Sequence, residues 1–149
     1  MMFFPELDPN SKVWIYAGNR DLHPTESNYV TDALNSFIPQ WAAHGASLYG
    51  NGVVHRNRFI ILAVDESKVS ASGCSIDTSV HFLKKMGQEL DIDFLTRTNI
   101  VVEKDGVLST VHLSELSEYI DADLFNPMVT SLSELNEKWK IPVSESPFV

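Results

Sequence analysis

The chain has 149 residues, 44% of them apolar, a single cysteine and a formal net charge of −9. That length suits one domain able to bury roughly 70% of its unfolded surface, so a packed core is expected and disorder is excluded. The acidity is uneven, with five Lys/Arg against seven Asp/Glu in residues 1–75 and six against thirteen in 76–149; such a surface repels phosphates and anionic lipid, which excludes nucleic acid and membrane as general partners.

Residues 1–10 read as a loosely held arm, with Pro5 and Pro9 bracketing an acidic turn. The opening Met1-Met2-Phe3-Phe4 has no basic stretch before it and no long apolar segment after it, so it does not read as a secretory signal. No stretch of the chain approaches the ~18–20 apolar residues needed to span a bilayer. Lys12–Ala17 is a β-type run ended by Gly18-Asn19, the first strand. Pro24 suits a first helical turn, and Tyr29, Ala33, Leu34, Phe37, Ile38 and Trp41 then recur at helical spacing. Pro39 should kink this helix, because the bond to the Asn35 carbonyl is lost, and Gly45 is its expected stop.

Ala46–Val54, with Gly50 and Gly52, suggests a bulged or edge strand that turns back at Arg56-Asn57. Residues 58–65 follow as a strand. Its Phe59-Ile60-Ile61-Leu62-Ala63-Val64 run is continuously apolar, the signature of burial on both faces. A small-residue loop, Ser70–Ser75, precedes a second helix over Ile76–Leu90, with Ser75 as N-cap and Asp77 complementing the dipole. Asn99–Val102 and Val107–Leu113 form a hairpin around Asp105-Gly106. Short helices are expected over Ser114–Ile120 and Ser131–Trp139, the latter with Ser131 and Glu134 in capping-box positions. Between them lies a loop through Phe125-Asn126-Pro127, and the tail from Pro142 folds back onto the core. The order β-α-β-β-α-β predicts a ferredoxin-like α+β sandwich with an added C-terminal hairpin strand and short helices, all within one domain. A three-layer α/β fold is the alternative, disfavoured by the lack of repeated βα units.

The stretch 57–83 organises the chemistry: buried strand, Ser/Gly loop, helix start. Backbone amides and hydroxyls of Ser70, Ser72, Gly73 and Ser75 can face an anion, or simply cap their own helix. Cys74 sits where a helix dipole can lower a thiol pKa. Asp77 and His81 could share its side of the helix, but His81 is about 10 Å along by rise, too far for direct proton transfer. The plain alternative is a small Cys buried between strand and helix. No Cys-x5-Arg follows, which excludes a cysteine phosphatase loop. Asp65 ends the central strand, where an acid is either a site residue or half of an ion pair with Arg58 or Arg20. His-Arg-Asn-Arg at 55–58 is the one basic cluster, its charges either decorating a turn or, through Arg56 and Arg58, serving as candidate partners for an anion. His44, His55 and His112 have no metal spacing, so neither metal nor cofactor is expected. A lone cysteine forms no intramolecular disulfide, consistent with a cytoplasmic location.

Trp41-Ala42-Ala43-His44-Gly45, Arg58–Glu66 and Ala71–Asp77, together with Asn126-Pro127 and Trp139, are similar to a family of small bacterial proteins of uncharacterised function. The resemblance spans most of the chain, and members are sometimes labelled "ABC transporter ATPase". The residues do not carry that label. Gly45–Gly52 places Asn51 and Gly52 where a P-loop needs Lys and Ser/Thr, and it follows a helix rather than a strand. The expectation is therefore a non-catalytic domain binding a small anionic ligand or a protein partner around 65–77. The rival is a Cys74-dependent hydrolase or transferase. Self-association through an exposed sheet edge is a third outcome.

Overall fold

A computed structural model describes residues 2–42, 49–65 and 73–149, side chains excepted at 42, 49 and 73–76. In chain order the elements are β1 (Lys12–Ala17), α1 (Pro24–Ala42), β2 (Tyr49–His55), β3 (Phe59–Asp65), α2 (Gly73–Leu90), β4 (Asn99–Lys104) and β5 (Val107–His112). A 3-10 segment, Leu113–Tyr119, is followed by β6 (Asp123–Phe125), α3 (Leu132–Lys138), β7 (Lys140–Pro142) and a last 3-10 turn, Val143–Glu145. The fold is α+β, with two antiparallel sheets ordered β1-β3-β2 and β5-β4-β6-β7.

β3 is the centre of the first sheet, and its continuous apolar run is explained by two cores. Ile60, Leu62 and Val64 point to α1 and α2, joining Tyr16, Val30, Leu34, Trp41, Leu83 and Met86. Phe59, Ile61 and Ala63 point the other way, to Val101 and Phe125 of the second sheet and Leu132 and Leu135 of α3. Fully burying each such side chain contributes about 1.5–3 kcal/mol, so this strand alone anchors both layers. The far face of the second sheet, through Ile100, Val102, Val111 and Leu124, is covered by Leu116 and Val143 of the 3-10 segments. Trp139 joins the layers, its ring centroid 4.7 Å from that of Phe59 and 4.8 Å from that of Phe125.

Both hairpin turns read from the sequence are present. Arg56 and Asn57 have φ of 52° and 54°, and Asp105 and Gly106 have 54° and 79°, the paired positive values of type I′ turns that match strand twist. α3 is capped as expected: the Ser131 hydroxyl accepts from the Glu134 N–H at 3.2 Å. α1 runs through Pro39 as one helix; its expected stop at Gly45, and residues 46–48 of the second strand, lie outside the described residues.

Several expectations are corrected. The ferredoxin-like order would set the strand after α2 beside β1, giving one four-stranded sheet. The β1-β3-β2 half is present, but β4 instead lies within the second sheet, between β5 and β6. Among the described residues, β1's outer edge is occupied only at its ends: Lys12 bridges Ser131, and the Asn19 N–H donates to Asp93 O at 3.0 Å. The 91–98 linker therefore passes the end of β1 rather than pairing along it. α2 begins at Gly73, so Ser75 is inside the helix rather than its cap, and Asp77 falls beyond the first turn. β6 and β7 have no counterpart in the sequence pattern, being three residues each, shorter than any periodic signal. Tyr29 is exposed, its hydroxyl donating to Glu89. Finally, the arm is packed: Phe4 is buried, Phe3 stacks edge-on to Trp139, and the Phe3 N–H donates to Asn136 Oδ1 at 2.7 Å.

Candidate functional site

The residues nominated from the sequence do not converge. Asp65 closes β3, whereas Arg58 immediately precedes it, seven residues or about 23 Å away by strand rise. Arg58 is almost fully buried and committed to structure. Its Nε donates to Gly18 O at 3.1 Å, Nη1 to Asp21 Oδ1 at 2.7 Å and Nη2 to Thr110 Oγ1. It thus links the turn after β1 to β5. Arg56 pairs with Glu103 and lies over the Phe125 ring, 5.9 Å from its centroid. Glu103 also pairs with Lys140, and these two cations, Lys140 foremost, hold its carboxyl below the usual carboxylate range. Neither arginine is available to an anion at 65–77. Ser70 and Ser72 lie outside the described residues; Gly73, Cys74 and Ser75 occupy the first turn of α2, and Asp77 is exposed on it. His55 is half-buried among Phe3, Phe59 and Trp139, and that burial, followed by the charge of Arg56, pushes its imidazole pKa down.

What the fold assembles instead is a cleft along the outer edge of β1, where the expected fourth strand is missing. Two adjoining cavities of about 280 and 370 Å³ share Ile15, Tyr16, Arg97 and Pro127 in their walls. The larger follows β1 from Lys12 to Tyr16; the smaller runs on to Ala17 and reaches between the sheets to Phe59, Ile100 and Trp139. β6 pairs with β4 only at Val102 and Glu103, so the Asn99–Val101 part of β4 also lines this space.

Both walls are fixed by local hydrogen bonds. On one side, the Asp93 carboxylate accepts from the N–H groups of Leu95 (2.9 Å) and Thr96 (3.2 Å) and from the Thr96 hydroxyl. The Thr96 hydroxyl leads in holding that carboxyl below its ordinary range. Asp93 and Asn19 bond reciprocally, the Asp93 N–H donating to Asn19 Oδ1 at 3.0 Å. Arg97 follows this braced turn and is exposed, with no ion-pair or hydrogen-bond partner among the described residues. On the other side, the Asn126 N–H donates to Trp139 O at 2.7 Å, and Asn126 Oδ1 accepts from the Met128 N–H at 3.0 Å. Met128 itself stays largely exposed beside the cleft. The cleft is thus preformed and mostly apolar, with two cations in its walls, Arg97 in both cavities and Lys12 in the larger, the usual make-up of a binding site.

Among the described residues, its walls hold no His, Cys, Asp or Glu side chain. Among the described residues, no three such side chains converge as a metal cluster, and no helix is long and apolar enough to cross a membrane. Sequence reasoning missed Arg97 because nothing local distinguishes it; its importance comes from β1 lying beside it in space. No protein-family model, curated protein or solved structure matches the chain.

Proposed function

We propose that this protein is a non-catalytic binding domain whose ligand lies along β1, its apolar part in the cleft and its anionic group on Arg97. The observation that carries this reading is the Arg97 guanidinium, unpaired among the described residues, on a preformed apolar cleft within a chain of net charge −9. The other arginines are engaged: Arg20 with Glu26, Arg56 with Glu103 and Arg58 with Asp21. A cleft whose described walls carry no imidazole, carboxylate or thiol supports recognition rather than turnover. A naphthalene sulfonate, an apolar ring bearing one anion, is a suitable probe. Followed by amide-resolved NMR, its addition should shift Ile15, Ala17 and Arg97, and Arg97→Ala should weaken binding. Shifts confined to residues 70–77, or none, would refute the cleft as the site.

The rival reading, a Cys74-dependent hydrolase or transferase, has in its favour that Cys74 is the second residue of an 18-residue helix, near the positive end of its dipole. It predicts rapid alkylation of Cys74 by iodoacetamide at neutral pH. Reaction only after denaturation would end it.

A further inference from the structure

The occupant can be specified further from the hydrogen-bonding phase of β1. The Gly18 N–H donates to Arg58 O at 2.8 Å, and the Val13 N–H donates away from β3, to Thr130 O at 3.0 Å. In an antiparallel ladder this direction alternates, so Lys12, Trp14 and Tyr16 bond to β3 while Ile15 and Ala17 turn their N–H and C=O groups outward. Those outward groups have no partner among the described residues, and they face the cleft. The open interval is bounded by the Thr130–Ser131 contact at one end and by Asn19–Asp93 at the other. From Val13 to Ala17 it measures about 13 Å by strand rise, enough for four or five extended residues.

We infer that the cleft receives an extended segment of a partner protein, added as a strand to β1, with an acidic side chain paired to Arg97. This rests on the cleft being the binding site. Three features favour a peptide strand. The unpaired N–H and C=O groups recur at every second residue, a pattern that another backbone matches and a compact small molecule does not. The apolar walls offer room for alternate side chains, and Arg97 supplies charge complementarity for one acid. A second copy of this chain fits less well, because its own β1 edge is recessed between the 93–97 and 126–130 walls and two recessed edges cannot meet. Such a strand would also restore the four-stranded order expected of the β1-β3-β2 half.

The test uses the full chain and a displayed library of seven-residue peptides. Enriched sequences should alternate apolar residues and carry one acid; binding should slow amide hydrogen exchange at Ile15 and Ala17. Ala17→Pro removes an outward N–H without touching the β1–β3 ladder, and should weaken the selected peptide about tenfold. Arg97→Glu, on the exposed surface, should abolish binding of the acidic peptide and accept one in which Lys replaces the acid; this swap decides the matter even if Ala17→Pro fails to fold. The inference is overturned by no enriched peptide, by enriched peptides that leave Ile15 and Ala17 exchange unchanged, or by a swap that rescues nothing. A concentration-dependent dimer abolished by Arg97→Glu would overturn it in favour of a second copy. If the naphthalene sulfonate shifts Arg97 while no peptide binds, the strand inference fails and the binding-domain reading stands.

Discussion

Replacing Arg58 by Met tests whether this residue is a structural tie rather than an anion receptor. The side chain is 6% exposed, and Met retains most of its apolar stem while removing the guanidinium. The pair with Asp21 contributes little, because the Asp21 side chain is 67% exposed and solvent screens it to about 1 kcal/mol or less. The two interior bonds matter more: Nε to Gly18 O, and Nη2 to Thr110 Oγ1. Bonds from a charged donor contribute about 1.5–3 kcal/mol each. Some of this is recovered, since the Thr110 hydroxyl, already 3.4 Å from Gly18 O, can turn fully onto that carbonyl. The expected loss for Arg58→Met is therefore about 2–4 kcal/mol by urea unfolding. Arg58→Lys should lose about half as much, because an ammonium cannot reproduce the planar fork. Asp21→Asn should lose about 1 kcal/mol at most. If Arg58→Met lies within about 0.5 kcal/mol of the parent, or Asp21→Asn is equally damaging, the assignment of Arg58 as an interior tie is wrong.

Two substitutions at the end of α2 should act in opposite directions. Gly87→Ala gains about 1 kcal/mol of helix propensity, but its Cβ would lie 2.6 Å from Ile92 O, a backbone atom that cannot step aside; the variant should be net destabilised in urea unfolding, and a stabilised one would show that the cap relaxes freely. Asp91 has φ 55°, and the Ile92 N–H donates to Gly87 O at 3.0 Å, so Asp91→Gly should stabilise by about 0.5–1 kcal/mol, and any loss would contradict a left-handed cap there. His55 titrates lower folded than its ordinary 6.5, so the neutral ring stabilises the fold fully above pH 6.5 and that contribution is lost as pH falls below it; His55→Gln should flatten the urea midpoint between pH 8 and 5 relative to the parent, as about the range in which an imidazole titrates, and an equally steep profile would refute the aromatic cage. Glu26 is lowered to about 2, first by Arg20 and then by the His23 N–H, so its contribution is present above 4.5 and disappears as pH falls towards 2; Glu26→Gln should remove that acid-side slope, and an unchanged slope would refute the pairing.

The sequence was legible where local pattern and packing agree. β3 could be found because both of its faces are buried, so Phe59–Val64 is apolar without interruption. The Asp105-Gly106 turn and the Ser131 cap are chemical requirements satisfied within four residues, and both were readable. β6 and β7 were not, because Asp123–Phe125 and Lys140–Pro142 are strands only through their pairing with each other and with β4. Arg56 and Arg58 were misread for a related reason. Two arginines in a turn look like a cationic patch, and only the tertiary structure brings Glu103, Asp21 and Thr110 to them. The cleft was illegible for the same cause, since its walls are segments more than 75 residues apart in sequence, from Ile15 to Arg97 and Pro127.

The position of β4 connects the error in topology to the location of the cleft. Had β4 paired along β1, the outward N–H and C=O groups of Ile15 and Ala17 would be satisfied and the space beside them filled. Instead the Asn19–Asp93 pair turns the linker away at one end of β1, and the Lys12–Ser131 bridge occupies the other. Exposed strand edges invite pairing with other chains, and proteins commonly cover them or place charge on them. Here the ends of the edge are closed while its middle is left open but recessed between two hydrogen-bonded walls. A recess of that shape admits a single strand and keeps out the edge of another sheet. The same geometry that makes this half-sheet incomplete therefore limits what can complete it.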